Sequence, residues 1–333
     1  MTTDTPNSDA THPKPLIIRV RNFIGDVVLA TPALMRLQAA GYALNLVGKP
    51  WLKSLFEAYP WTVSAYPKSF SERRALLGSL ANTLEHQAPS FRKGINAITF
   101  ATSFSSALDM RAAGLKPFGF GAEARSFLLT RSAKIVYGEH ALDSYWRLTS
   151  AFLNDAANAP SQATLAISPA AEKRARDALD AAGVSVGGGY IVMVPFAGGT
   201  FEKLDKKWQG FPELARYLAS DSETRASQVV LAPGPDEEQE ARARFPQAKF
   251  LTRLDLGAYA AVMRDAALTI ANDTGPGHMA ASVNGRLLSV LGPTKIEQWG
   301  ARGTHVHIVQ SFPQWPSVPD VAAKVRSILL MNR

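Results

Sequence analysis

Three short segments of this sequence combine small residues with charged or hydroxylated ones at spacings that suit proton and phosphate chemistry. The first is Arg21-Asn22-Phe23-Ile24-Gly25-Asp26, behind an apolar run. Gly25 allows a tight turn or a close backbone approach. Asp26 stands where a helix opens. A carboxylate there commonly accepts the orphan N–H groups as a cap; alternatively it serves as a general base that takes a proton from an acceptor hydroxyl. The second segment is Pro195-Phe196-Ala197-Gly198-Gly199-Thr200, followed by Lys203, Lys206 and Lys207. It offers backbone N–H groups, a hydroxyl and point charges to phosphate oxygens, or else is a solvated basic loop. Trp208 and Phe211 would anchor it to the helix beginning near Pro212.

The third segment is Asp273-Thr274-Gly275-Pro276-Gly277-His278, again at a helix start. Unpaired N–H groups and the helix dipole make such a turn an anion site. Its G-x-G-x-x-A spacing also fits a dinucleotide fingerprint. Against that, the next strand ends in Gly292-Pro293-Thr294 with no acid for a ribose, and the loop lies late in its domain. The acidic run Asp236-Glu237-Glu238 follows another strand. Glu237 could accept ribose hydroxyls, although a helix N-terminal charge cluster is the simpler reading. No Walker A, G-x-S-x-G, H-E-x-x-H or H-x-x-x-H pattern occurs, which disfavours a P-loop, a serine hydrolase and a structural metal.

The elements that position these loops alternate between strand-like and helix-like runs, so parallel sheets covered by helices are expected. In the first half the pattern predicts strands at 16–20, 42–48 and 95–100, and helices at 26–40, 50–59, 71–86 and 143–157. Thr31-Pro32 predicts a kink or a second helix start. Residues 154–168, rich in Ala, Asn, Pro and Ser, read as a domain boundary. Beyond it, strands are predicted at 190–195, 228–232, 268–271 and 287–291. Helices are predicted at 169–182, 211–219, 237–245, 256–267, 277–283 and 318–330. Two successive α/β units of Rossmann-like type follow, with ligands expected where strands lead into helices.

The composition fits that class. The chain has 333 residues, 46% of them hydrophobic and none of them cysteine. That supports two ordinary cores, excludes disulfides and thiolate metal sites, and suits a reducing compartment. Residues 1–14 are polar and read as a disordered tail rather than a secretory signal. No apolar run of about 18 residues occurs, so no membrane-spanning helix is expected. Residues 1–160 carry 17 Lys+Arg against 11 Asp+Glu, and residues 161–333 carry 19 against 17. The basic first half points to an anionic partner (a phosphorylated substrate, a membrane surface or nucleic acid) or simply to a soluble surface.

Taken in order, the segments Gly25-Asp26-Val27-Val28-Leu29-Ala30-Thr31-Pro32-Ala33-Leu34, Lys206-Lys207-Trp208, Asp273-Thr274-Gly275-Pro276-Gly277-His278-Met279-Ala280-Ala281 and Leu291-Gly292-Pro293-Thr294 resemble glycosyltransferase family 9, the ADP-heptose:lipopolysaccharide heptosyltransferases. The resemblance runs from Arg19 to about Gly303. It implies a GT-B fold, two Rossmann-like domains facing a cleft. An acceptor-binding domain would span 15–158 and a nucleotide-sugar-binding domain 165–317, with helix 318–330 crossing back to the first. It implies Asp26 as the base and an acceptor-side loop with Asn22 and Gly25. The donor site would hold Gly199, Thr200, Lys206, Glu237, Asp273, Thr274, Gly275, Gly277 and His278. The expected partners are ADP-heptose and an anionic lipopolysaccharide-core acceptor at the cytoplasmic face of the inner membrane. No cofactor is implied as necessary; Mg is possible. Nucleic acid is not expected, because no helix-turn-helix or RNA-binding signature is present. Two other readings keep parts of this: a transferase or epimerase for another nucleotide-sugar, and a non-enzymatic nucleotide-binding module. Two departures from the family pattern stand out. The stretch from Gly198 to Trp208 is a few residues longer, and Asn22-Phe23-Ile24 replaces small hydroxylated residues.

Overall fold

The computed structural model describes residues 13–331 apart from 123, 187–188, 197–199, 202–203, 206, 222–223 and 225–226; side chains of 200, 201, 204 and 205 also lie outside the description. The first half holds β1 (Lys14–Arg19), α1 (Ile24–Ala39), β2 (Tyr42–Gly48), α2 (Leu52–Leu55), β3 (Thr62–Ala65), α3 (Phe70–Gln87), β4 (Ala97–Thr99), α4 (Phe104–Ala112), β5 (Pro117–Phe120), β6 (Arg131–Ala133) and α5 (Ala141–Leu153). Its sheet is parallel, in the order β3-β2-β1-β4-β5-β6. Leu16, Ile17 and Ile18 of β1 are fully buried, as a strand covered on both faces requires.

The second half repeats the plan. It comprises α6 (Pro169–Ala181), β7 (Tyr190–Val194), the short hairpin of β8 (Thr200–Phe201) and β9 (Leu204–Asp205), α7 (Phe211–Ser220), β10 (Gln228–Leu231), α8 (Glu238–Arg244), β11 (Lys249–Phe250), α9 (Leu256–Asp265), β12 (Leu268–Ala271), α10 (Gly275–Ser282), β13 (Leu287–Leu291), α11 (Ile296–Trp299), β14 (Val306–Gln310) and α12 (Val318–Leu330). Its main sheet runs β11-β10-β7-β12-β13-β14, also parallel. Leaving out the hairpin, both sheets follow the chain order 3-2-1-4-5-6 of doubly wound nucleotide-binding folds. In such sheets the crevice forms at the carboxyl ends of the strands where the order reverses, here between β1 and β4 and between β7 and β12.

Helix α1 joins the two halves. Every residue from Val27 to Leu34 is buried, so the helix is covered all round rather than along one stripe. It packs on α5 on one side and on α10 of the second domain on the other. One continuous apolar cluster therefore runs from Leu16 and Phe100 through Val27 and Leu34 to Met279 and Val192. The helix carries straight through Pro32 instead of restarting there. Thr31 Oγ1 donates to the Val27 carbonyl at 3.3 Å, and the burial of the whole segment outweighs the one backbone donor that Pro32 lacks.

Several sequence expectations need correction. β1 begins at Lys14, inside the expected tail. The helix expected over 50–59 shrinks to α2, because Phe56, Tyr59 and Trp61 turn inward as an aromatic cluster, with Tyr59 and Trp61 stacked at 4.1 Å. Helix α12 does not cross back to the first domain. Val321, Ala322, Val325 and Ile328 bury against Phe211, Leu214 and Leu218 of α7, in the second domain's own core. Among the described residues no helix is long and apolar enough to cross a membrane.

Candidate active site

The carboxyl ends of the two sheets face one cleft of about 1410 Å³. That is larger than a pocket for one small ligand and leaves room for two substrates. Arg21 to Asp26, Trp51 and Ser54 line it from the first domain; Pro195, Phe196, Glu237, Arg253, Tyr259, Asp273 to Pro276 and His278 line it from the second.

On the first side, Asp26 sits in the first turn of α1, yet it is not a cap. The N-cap position is Phe23, without a side-chain cap, and the Asp26 carboxylate turns to side chains instead. Its Oδ1 accepts from the Tyr145 hydroxyl at 2.5 Å and lies 3.4 Å from Arg21 Nε, with the Asp26 side chain only 9% exposed. Burial first, and then the charge of Asp26, holds the Tyr145 hydroxyl well above the ordinary phenol range, so it remains a donor. Arg21 Nη1 also donates to Thr102 Oγ1 at 3.3 Å, tying the β1–α1 loop to the loop after β4. Asn22 lines the cleft, and its Oδ1 accepts from Arg19 Nη2 at 2.8 Å.

On the second side, Thr274 is the N-cap of α10, its hydroxyl accepting from Gly277 N at 3.4 Å. Asp273 Oδ2 accepts from Thr294 Oγ1 at 3.0 Å, and Asp273 Oδ1 lies 3.8 Å from His278 Nε2. Thr294 belongs to the Gly292-Pro293-Thr294 turn, which Gln310 of β14 holds through the carbonyls of Gly292 and Thr294. Asn272, buried just before the loop, accepts from Trp208 N at 3.1 Å and donates to the Pro195 carbonyl at 2.9 Å. The ends of β7 and β12 and the start of the Trp208 segment are thereby drawn together. Trp208 packs edge-on against Phe211 at 5.1 Å, the anchoring expected for it. Glu237 Oε2 accepts from Gly234 N at 2.9 Å and lines the cleft with Tyr259, whose hydroxyl is pushed up by burial and then by Glu237.

The two sides touch. A Cβ placed on Gly25 would stand 2.9 Å from His278 Cδ2, and one on Gly275 would stand 2.6 Å from Ile24 Cβ and 3.0 Å from Gly25 N. The two helix-opening turns singled out in the sequence therefore meet backbone to backbone.

Of the residues singled out, Asn22, Gly25, Asp26, Glu237, Asp273, Thr274, Gly275 and His278 line this cleft, and Gly277 is buried one turn into α10. Gly199 and Lys206 lie outside the described residues. So does the side chain of Thr200, whose backbone pairs with Asp205 in the hairpin. Sequence reasoning missed Tyr145, Arg21 as its partner at the carboxylate, and Asn272. Among the described residues no cluster of three or more His, Cys, Asp or Glu side chains could hold a metal ion.

The comparisons agree with this architecture. The family described as Glycosyltransferase family 9 (heptosyltransferase) matches residues 96–325. The chain is 32% identical over 148 residues to lipopolysaccharide heptosyltransferase 3 of Escherichia coli, a match covering 41% of each chain and so less than half the relative's length. The structure of E. coli ADP-heptose lps heptosyltransferase II is similar over 96% of this chain and 99% of that one, with TM-score 0.77 at 18% identity. E. coli heptosyltransferase WaaC with ADP is similar over 94% and 99%, with TM-score 0.67 at 20% identity. The fold is of GT-B type, two Rossmann-like domains about a cleft. The family match covers well over half of the sequence, and the chain belongs to glycosyltransferase family 9, the heptosyltransferases.

Proposed function

We propose that this protein is an inverting heptosyltransferase that moves heptose from ADP-heptose to a lipopolysaccharide-core acceptor, with Asp26 as general base. The observation that carries this reading is the abutment of Gly25-Asp26 on the Thr274–His278 helix start across a two-substrate cleft. In the reaction, the Asp26 carboxylate takes the proton of the acceptor hydroxyl, and the freed oxygen pair attacks the anomeric carbon. The bond from that carbon to the diphosphate oxygen breaks, and its electron pair leaves on ADP. A single displacement inverts the anomeric centre.

The departing diphosphate needs donors and positive charge where its own charge develops. The N-terminal turn of α10 supplies its dipole and the Gly275 N–H, since Pro276 has none and the Gly277 and His278 N–H groups go to Thr274; the sequence adds Gly199 and Thr200, and family resemblance adds Lys206. These groups neutralise the leaving group without a metal ion in this scheme. Glu237 stands in the cleft where it can accept ribose hydroxyls. The excess of positive charge in residues 1–160 suits a phosphorylated or otherwise anionic acceptor presented at the cytoplasmic face of the inner membrane. Support for the donor comes from relatives: the similar solved structures include an ADP-heptose lps heptosyltransferase and a heptosyltransferase with ADP.

Thermal unfolding with ADP, UDP and GDP tests the donor. A ligand that binds only the folded state at about 100 times its Kd adds about 2.7 kcal/mol. Stabilisation by ADP alone, with ADP release from ADP-heptose in the presence of acceptor, is expected. Preferential stabilisation by UDP or GDP, or transfer from a UDP-sugar but not from ADP-heptose, would overturn the donor assignment.

A further inference from the structure

Among the described residues, only one oxygen of the Asp26 carboxylate is held. Oδ1 takes both the Tyr145 hydroxyl, at 2.5 Å, and the Arg21 contact, at 3.4 Å; among the described residues Oδ2 accepts no hydrogen bond. Tyr145 is itself fixed. It is 5% exposed, and its ring packs edge-on against Phe100 at 5.6 Å. Its helix α5 is pinned to the second domain, where His140 Nε2 meets the Gly300 carbonyl at 2.9 Å and Asp143 pairs with Arg302 at 2.9 and 3.0 Å. A carboxylate turns almost freely about its last torsion unless something holds one oxygen.

We propose that Tyr145 is a positioning residue for the base: by holding Oδ1 it fixes the carboxylate plane and leaves Oδ2 as the oxygen that takes the acceptor's proton. This rests on Asp26 being the base. The charged and titratable groups around Asp26 are Arg21 and Tyr145 on its own side, with Asp273 and His278 facing from the second domain. The remaining charged residues of α5, Asp143 and Arg147, are paired with Arg302 and Glu139. Removing the Tyr145 hydroxyl therefore takes away the shortest contact to the carboxylate and leaves Arg21 as its neighbour.

The test is Tyr145→Phe, which keeps the buried ring and deletes the donor, compared with the unaltered protein and with Asp26→Asn. With ADP-heptose as donor, kcat is expected to fall about 10-fold because the base loses its orientation, while donor KM stays within about twofold. Site-specific 4-fluorophenylalanine at 145, which fills the hydroxyl's space without donating, is expected to show the same fall in kcat at unchanged donor KM. It keeps the test available if Tyr145→Phe does not fold. Unchanged kcat in the folded variants, or a rise in donor KM as large as the fall in kcat, would overturn the positioning role and leave the base intact, provided Asp26→Asn still loses about 10²-fold or more. Near-normal turnover in Asp26→Asn would instead overturn the base, and the Tyr145 proposal with it.

Discussion

Two glycines decide how near the Gly25-Asp26 and Asp273–His278 turns can come. At Gly275 an added methyl would meet Ile24 Cβ at 2.6 Å and the Gly25 backbone nitrogen at 3.0 Å, neither of which is the end of a flexible side chain. Gly275 opens a right-handed helix, so its backbone angles suit alanine and the cost is contact alone. Relief requires the 274–278 turn to back away from the α1 turn by some tenths of an ångström. Displacements approaching 1 Å cost on the order of 10²-fold when they separate reacting groups. Gly275→Ala is accordingly expected to lower kcat/KM by about 10- to 10²-fold with a smaller change in the thermal midpoint, as steady-state kinetics beside an unfolding scan would record. Unchanged kinetics would mean that the contact between the two turns is unimportant to transfer.

Helix α5 does two jobs at the scale of an element. It carries Tyr145 to Asp26, and its start clasps the second domain. His140 is the N-cap, with Nδ1 accepting from Leu142 N at 3.2 Å; the tautomer that allows this carries its hydrogen on Nε2, which donates to the Gly300 carbonyl at 2.9 Å. Protonation would abolish the cap. Burial, and more weakly Arg302 and His278, holds the His140 pKa below the ordinary histidine value, against raising contributions from the Gly300 carbonyl and Asp143. The folded state then binds this proton less readily than the unfolded chain. Stability from this group is complete above about pH 6.5 and is lost as pH falls through that value toward the lower folded pKa. The thermal midpoint is expected to drop between about pH 7 and pH 5, and His140→Asn, which retains a capping side chain, is expected to flatten that drop. An equally steep drop in the variant would assign the pH dependence to other groups.

Over the whole molecule, two copies of one parallel-sheet plan face each other with α1 buried between them. Much of that plan was legible in the sequence. Strands 42–48, 268–271 and 287–291 stand at the expected bounds because each is an apolar run closed by glycine, polar or turn residues. The turns at Gly25-Asp26 and Asp273–His278 were readable because glycine and a charged or hydroxylated residue at a helix start form a local signal. Tyr145 and Asn272 were not readable. Their contacts to Asp26 and Trp208 bridge 119 and 64 residues, and each residue alone looks like ordinary helix or strand-end composition. The strands β3, β5 and β6 escaped notice because three or four residues carry no measurable alternation. The partner of helix α12 was not readable, because its apolar stripe states that it packs, not on what. The most direct test of the account is single-turnover transfer from ADP-heptose to a lipopolysaccharide-core acceptor by the unaltered protein and by Asp26→Asn, with ADP affinity measured alongside. The account predicts equal ADP affinity and a transfer rate at least about 10²-fold lower in the variant. Transfer at a near-normal rate by Asp26→Asn, or no transfer from ADP-heptose by the unaltered protein, would contradict it.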